Sequence, residues 1–235
     1  MVIRLLFSPP AVDSVAAPAI RWRPLRRVLI WLRWLALRFL ALMVGLVMFY
    51  GMINPPTTWT IVSEATVPRD WVDIDDIAPA LRRSVVAAED ANFCLHWGFD
   101  MVEIRKVVAS GSSRGASTLT QQTAKNVFLW QGRSWTRKVL ETAFTPMIEA
   151  FWSKRRILEV YLNVAEFGPG IFGIEAAARE YFGTTPDKLT PVQSARLAAV
   201  LPAPKSRSPN RASGRSRAIA DGAATIARDG RAGCL

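Results

Sequence analysis

Hydrophobic positions along this chain follow two regimes. From Val28 to Tyr50 they run almost unbroken, VLIWLRWLALRFLALMVGLVMFY, with Arg33 and Arg38 as the only charges. A helix of that length rises far enough, at ~1.5 Å per residue, to cross a hydrocarbon core of ~30 Å. The uninterrupted part, Phe39 to Ile53, is short for a span on its own. Arg33 and Arg38 lie toward the N-terminal end, where long cationic side chains reach the interface. Beyond this stretch apolar residues recur at helical spacing instead. Ile77, Leu81 and Val85 stand four apart and continue to Glu89, which predicts one buried stripe with a carboxylate at its end.

Further periodic runs predict helices over Thr118–Val127, Ser134–Trp152, Lys154–Asn163, Ile174–Tyr181 and Thr190–Leu201. Thr118 and Gln121 have the spacing of a capping box. Pro146 predicts a bend in the second of these runs, and Pro202 and Pro204 stop the last. Asp76 is a candidate cap for the helix carrying Glu89, with Pro79 tolerated in its first turn. Gly168-Pro169-Gly170 marks a turn. Strand signals are weak throughout, so the fold expected after the apolar stretch is mainly α. The organisation read from these shifts is a basic N-terminus over 1–27, an apolar anchor over 28–53, a Pro-containing linker over 54–69, a helical domain over 70–209 and a peripheral basic tail over 210–235. That tail is rich in Arg, Ser, Gly and Ala, a composition that predicts partial disorder.

Charge and rare residues narrow the function classes. The 235 residues carry a formal net charge of +11, which admits an anionic membrane, a phosphorylated substrate or nucleic acid as partner. Much of the excess flanks the apolar stretch or lies in the tail, which argues for the membrane and against nucleic acid. Arg21, Arg23, Arg26 and Arg27 precede the stretch, whereas Asn54, Pro55, Pro56, Thr57 and Thr58 follow it. That asymmetry predicts a cytoplasmic N-terminus and the rest of the chain outside. A cleaved signal peptide is disfavoured because no A-x-A site follows Tyr50. A surface-lying amphipathic helix would need a polar face that the stretch lacks. One histidine, His96, excludes a His-rich metal site. Cys94 and Cys234 lack metal spacing and form no disulfide framework, so Cys94 reads as a small buried hydrophobe.

Four segments carry candidate chemistry. Glu89 begins Glu-Asp-Ala-Asn-Phe-Cys-Leu-His-Trp-Gly. A glutamate continuing an apolar stripe is poorly hydrated, which disfavours its charge and suits a base, and adjacent Asp90 adds like-charge pressure. The competing reading is a helix-end carboxylate facing solvent. The second segment, Gly115 to Asn126, feeds a small-residue loop into a helix start, a natural anion site. Thr118, Gln122 and Lys125 share one face there, suited to a phosphate or a sugar or simply to solvent. In the third segment Arg137 and Lys138 precede Glu141 by four and three residues. They form either a surface salt bridge or an acid among cations beside a phosphorylated leaving group. In the fourth, Lys154 to Asn163, the apolar stripe of Ile157, Leu158, Tyr161 and Leu162 reads as core, with Glu159 and Asn163 as buried polar ties.

In this order and spacing the segments resemble the peptidoglycan glycosyltransferases, and among them the monofunctional type. The pattern E-D-x-x-F-x-x-H-x-G matches Glu89, Asp90, Phe93, His96 and Gly98. G-G-S-T-[IL]-T-Q-Q-x-x-K-N matches Gly115 to Asn126, with Ala116 in place of the second glycine. R-K-x-x-E matches Arg137, Lys138 and Glu141, K-x-x-I-L-E-x-Y-L-N matches Lys154 to Asn163, and Ala177 to Gly183 fits a fifth block. The resemblance covers Asp70 to Pro209 and the anchor. It implies a mainly α, lysozyme-like catalytic fold of two lobes. It also implies elongation of glycan strands from lipid II, with β-1,4 bonds formed by inversion and undecaprenyl pyrophosphate released.

By the same resemblance Glu89 and Glu141 are the catalytic acids, Glu89 as general base. Asp90, Phe93, Thr118, Gln121, Gln122, Lys125, Arg133, Arg137 and Lys138 are expected to bind substrate, and His96 to tie its loop. A divalent cation, Mg²⁺, is admitted and no organic cofactor is implied. Expected partners are lipid II, the growing strand, the membrane and other proteins of cell-wall synthesis. Localisation would be the cytoplasmic (inner) membrane. A muramidase-like hydrolase shares the two acids but has no need of the cations. A non-catalytic scaffold would not need the acids. Neither S-x-x-K nor K-T-G occurs, so no penicillin-binding module is expected.

Overall fold

The structure is a computed structural model that describes residues 23–111, 115, 117–132 and 134–235. It divides inside the first helix, at Leu42, and the second unit runs from Met43 to Leu235. The first helix, α1, is Arg23–Met52. Its apolar part, Arg26–Met52, has 27 residues and a length of about 40 Å at ~1.5 Å per residue. Trp31, Trp34, Leu35 and Phe39 leave their side chains exposed. An apolar helix exposed at every position from Arg26 to Leu42 fits a transmembrane anchor.

The second unit is built of helices. In chain order they are α2 (Trp59–Glu64), α3 (Pro79–Glu89), α4 (Met101–Ser110), α5 (Leu119–Phe128), α6 (Trp135–Phe151), α7 (Lys154–Val164), α8 (Ile174–Phe182), α9 (Pro191–Val200) and α10 (Gly214–Arg228). Short polar side chains start most of them. Thr118, Thr190 and Ser213 each close a capping box, and Ser134 and Ser153 accept the backbone N–H three residues on. Each cap satisfies donors that the first helical turn leaves free. Asp76 is not the cap of α3. It lies in the 3₁₀ turn Ile74–Asp76, and α3 starts at Ala78 without a side-chain cap. Pro79 at the first position lacks an N–H, so one fewer donor there needs capping. Helix α6 continues through Pro146.

Helix α7 is the central pillar. Ile157, Leu158, Val160 and Leu162 are fully buried. Asn163, also fully buried, donates to Val72 O and accepts from Val72 N, and Glu159 accepts from Ile74 N. The polar ties read from the sequence thus pin the 70s segment to the pillar. After α7 the chain forms an antiparallel pair, β1 (Glu166–Gly168) with β2 (Ile171–Phe172). Gly170 turns the hairpin at φ +72°, where a Cβ would come within 2.9 Å of Thr66 and Glu64 O. Only glycine combines that backbone with that closeness.

The C-terminal segment departs from the expected peripheral tail. Helix α10 packs against α3 and α9. Ile219, Ala223 and Ile226 are buried along one side, and Gly222 faces Ala87 of α3, where a Cβ would meet the alanine methyl at an ordinary contact distance of 3.5 Å. Small residues read compositionally as unable to build a core. Here they pack against α3 and α9 and complete a core shared by the three helices. The cysteine reading is corrected too: Cys94 and Cys234 are joined in a disulfide across 140 residues of sequence. The pairing exists because α10 returns the chain end to the loop after α3. A crosslink closing so long a loop stabilises by roughly 2–5 kcal/mol. Cys94→Ser is therefore expected to lower the urea midpoint of the purified protein correspondingly. A midpoint equal to wild type would show that the tail is held by packing alone.

Candidate active site

The stripe Ile77, Leu81 and Val85 is completely buried, and it delivers Glu89 to the C-terminal end of α3. The Glu89 side chain is 11% exposed. Its Oε2 accepts from Gln122 Nε2 at 2.9 Å. Its Oε1 is buried without a hydrogen-bond partner, and Arg215 Nη2 stands 3.6 Å away. Burial pushes the carboxyl above the usual carboxylate range. The Gln122 hydrogen bond and the charges of Arg215, Lys125 and Arg207 oppose this without cancelling it. The acid is thus ionisable, poorly hydrated and has one oxygen that accepts no hydrogen bond, features that suit a general base.

Gln122 owes its direction to a second contact. Tyr161, buried in the pillar helix, donates its hydroxyl to Gln122 Oε1 at 3.1 Å. That bond orients the amide so that its NH₂ faces Glu89. Three residues on, half-buried Lys125 lines a cavity of about 370 Å³ together with Gln122, Tyr161, Gln131, Glu166 and Thr60. Burial lowers the Lys125 ammonium below the usual lysine range. Arg137 and Lys138 act in the same direction, and Glu141 and Glu89 act against it. Lys125 therefore lies within the fields of both acids.

Glu141 is buried on α6. Arg137 Nη1 donates to its Oε2 at 2.8 Å, and Lys138 Nζ donates to its Oε1. Arg137 Nε also donates to Gly132 O at 2.7 Å, and Lys138 Nζ to Ser117 Oγ at 3.2 Å. The surface-salt-bridge reading fails because the carboxylate is 4% exposed and the guanidinium 12%. Lys125, Arg137 and Lys138 form a cationic group around one buried acid, a charge arrangement complementary to phosphate.

Other residues expected in the site take different work. Asp90 is buried and turned away from this group. Its Oδ1 pairs with His96 Nε2 at 2.8 Å and its Oδ2 accepts from Leu119 N at 3.0 Å. Asp90 is not among the charges acting on Glu89, so its expected pressure on the base is corrected. Both its oxygens are committed to joining the loop after α3 to the start of α5. Phe93 is completely buried beneath Lys154, whose Nζ lies 4.5 Å from the ring centre. It is a packing residue rather than a substrate contact. Thr118 and Gln121 are buried in their reciprocal cap, and Thr118 Oγ1 also donates to Gly98 O at 2.7 Å. They position α5 rather than face the cavity. Arg133 and Ala116 lie outside the described residues.

Asp90, His96 and Asp100 bring one ligand atom each within 4.8 Å of one another. Asp100 already accepts from Val102 N, Glu103 N and Asn92 Nδ2. With Asp90 committed as well, this triad is a hydrogen-bonded tie for the loop, as expected for His96. The sequence reading passed over Tyr161, Glu166 and Arg215. Tyr161 was masked by its place in an apolar stripe, and Arg215 by its place in the tail.

Comparison with known proteins decides the family. Residues 57–227 match the transglycosylase family model. The chain belongs to the transglycosylase family. It is 55% identical over 203 residues to a biosynthetic peptidoglycan transglycosylase of a Jannaschia species, covering 83% of this chain and 85% of that protein. Proteins of the same name from Xanthomonas campestris and Caulobacter vibrioides are 50% and 48% identical, covering 78% and 84% of this chain and 82% and 93% of their own. The transglycosylase match begins within the segment read as linker and ends within α10, so the C-terminal helix belongs to the family fold. The helical fold is accordingly the lysozyme-like one, and the chain is a glycosyl-transferring enzyme with an N-terminal apolar helix fitting a membrane anchor.

Proposed function

We propose that this transglycosylase elongates peptidoglycan glycan strands from lipid II, with Glu89 as general base. The acceptor's 4-hydroxyl attacks C1 of the donor sugar while its proton passes to Glu89 Oε1. The bond from C1 to the pyrophosphate oxygen breaks, its electron pair leaves with undecaprenyl pyrophosphate, and the new β-1,4 bond is inverted. Lys125, Arg137 and Lys138 offset the charge that grows on the leaving phosphate. Glu141 holds two of those cations in place and keeps the group from repelling itself apart. The observation that carries this reading is the buried Oε1 of Glu89, which accepts no hydrogen bond and has the Arg215 guanidinium 3.6 Å away, in a group that also contains three cations around a second acid. A hydrolase acting on neutral glycan would gain nothing from those cations.

A divalent cation does not fit easily at Glu141, since each carboxylate oxygen is held by a cation. The reaction as written needs no metal step, because fixed cations already meet the phosphate charge. The disulfide supports a catalytic domain on the outer face of the cytoplasmic membrane, since disulfides persist in oxidising compartments. Arg21, Arg23, Arg26 and Arg27, ahead of the apolar stretch, support the same orientation. Purified full-length protein given radiolabelled lipid II in detergent is expected to make polymer that a muramidase digests. Absence of polymer with folded protein, or release of free disaccharide instead, would overturn the reading.

A further inference from the structure

Helix α10 carries an arginine to the base. We propose that Arg215 is a positioning residue for Glu89, holding the second carboxylate oxygen as Gln122 holds the first. The inference rests on the reading of Glu89 as base. The Arg215 guanidinium forms an ion pair with Glu89 Oε1 at 3.6 Å and donates to Ala88 O at 3.3 Å. One residue thus grips both the carboxylate and the last turn of the helix that bears it. No hydrogen bond reaches Oε1, so Arg215 is the group that sets where this oxygen points.

The contact depends on how the C-terminal segment is fastened. Ser213 and Ser216 cap α10 reciprocally, fixing the first turn in which Arg215 stands. Ile219, Ala223 and Ile226 bury the helix against its neighbours. Beyond it, Cys234 is bonded to Cys94, in the loop that directly follows α3. The far end of the tail is therefore locked to the segment after Glu89, and the near end presents Arg215 to Glu89 itself. The other groups acting around this carboxylate are Lys125 and Gln122 of α5, Arg207 from the segment after α9, and Tyr161 of α7. Among these cations only Arg215 is in ion-pair contact with Glu89. Its side chain is 41% exposed, so its truncation leaves the core untouched.

Removing this cation leaves burial less opposed and raises the Glu89 carboxyl further. A base must be unprotonated, so activity on the acid side is lost at a higher pH. The experiment is the pH dependence of kcat/KM for lipid II polymerisation by full-length Arg215→Gln, Arg215→Lys and Arg217→Gln, with thermal unfolding of each. Arg217 is an exposed arginine on the same helix. The expected result for Arg215→Gln is an acid limb moved to higher pH, giving a loss of about tenfold at neutral pH that shrinks in alkali. Arg215→Lys is expected to restore most of the limb, and Arg217→Gln to match wild type. A rate for Arg215→Gln that is unchanged, or lowered equally at every pH, overturns the proposal, as does failure of Arg215→Lys to recover. Should Arg215→Gln unfold, the Lys variant alone carries the test through the position of its limb. Glu89→Gln measured alongside separates the two failures: full activity there removes the base itself, whatever Arg215 does.

Discussion

Glu89→Gln is expected to lower kcat for glycan polymerisation by about 10²–10⁴-fold, the usual worth of a positioned base, with little change in KM or thermal stability. The substitution is close to isosteric. Gln122 can still donate to the carbonyl oxygen of the new amide, so the contact between α3 and α5 survives. The ability of Oε1 to take a proton does not survive. Because this oxygen is buried and lacks a hydrogen-bond partner in the wild type, no hydrogen bond is lost there, and the ion pair that is lost is to the partly exposed Arg215. A fall in stability comparable with the fall in rate would place Glu89 among the structural carboxylates, beside Asp90. A turnover number within a few-fold of wild type would remove it from the chemistry.

Lys125→Ala is expected to cost about 10²–10³-fold in kcat/KM, the scale of losing one preorganised charge at a developing anion. Lys125 lies in the fields of Glu89, Glu141, Arg137 and Lys138, so its ammonium connects the base with the cationic group around Glu141. The pH behaviour adds a second signature. Burial and the neighbouring Arg137 lower the Lys125 ammonium below the usual lysine range. A cation that must be charged to act is lost as pH rises through its own pKa, so Lys125 is expected to contribute an alkaline limb to the activity profile. Lys125→Arg, whose charge persists to far higher pH, is expected to move that limb upward while retaining part of the rate. An alkaline limb that does not move in Lys125→Arg would return Lys125 to the role of a solvated helix face.

What the sequence made legible was local. The stripe ending at Glu89, the Thr118–Gln121 cap and the apolar pillar with Asn163 as a tie all follow from periodicities within a dozen residues, and the structure contains each. The Arg137–Glu141 spacing was legible too, but whether it lay on the surface was not, since its burial depends on α5 and the segment before α6. Misses share a physical cause. Asp90 stands next to Glu89 in sequence, yet adjacent residues leave a helix end in different directions, and its partners His96 and Leu119 N come from the following loop and from α5. Tyr161 read as core, which it is, but its hydroxyl reaches the one amide that aims at the base. The C-terminal segment was misjudged because small residues signal disorder when counted alone. Packed against α3 and α9, the same residues bury one side of a helix. Only that return of the chain brings Cys234 to Cys94 and Arg215 to Glu89.

The central claim is that one poorly hydrated carboxylate accepts the acceptor's proton. The most direct measurement is the pH dependence of kcat/KM for lipid II polymerisation by the full-length wild type, set against the residual activity of Glu89→Gln. An acid limb above the pH at which ordinary glutamates titrate, present in the wild type and missing from the variant, is the expected result. The same limb in both proteins would mean that another group takes the proton, and the assignment of Glu89 would fall.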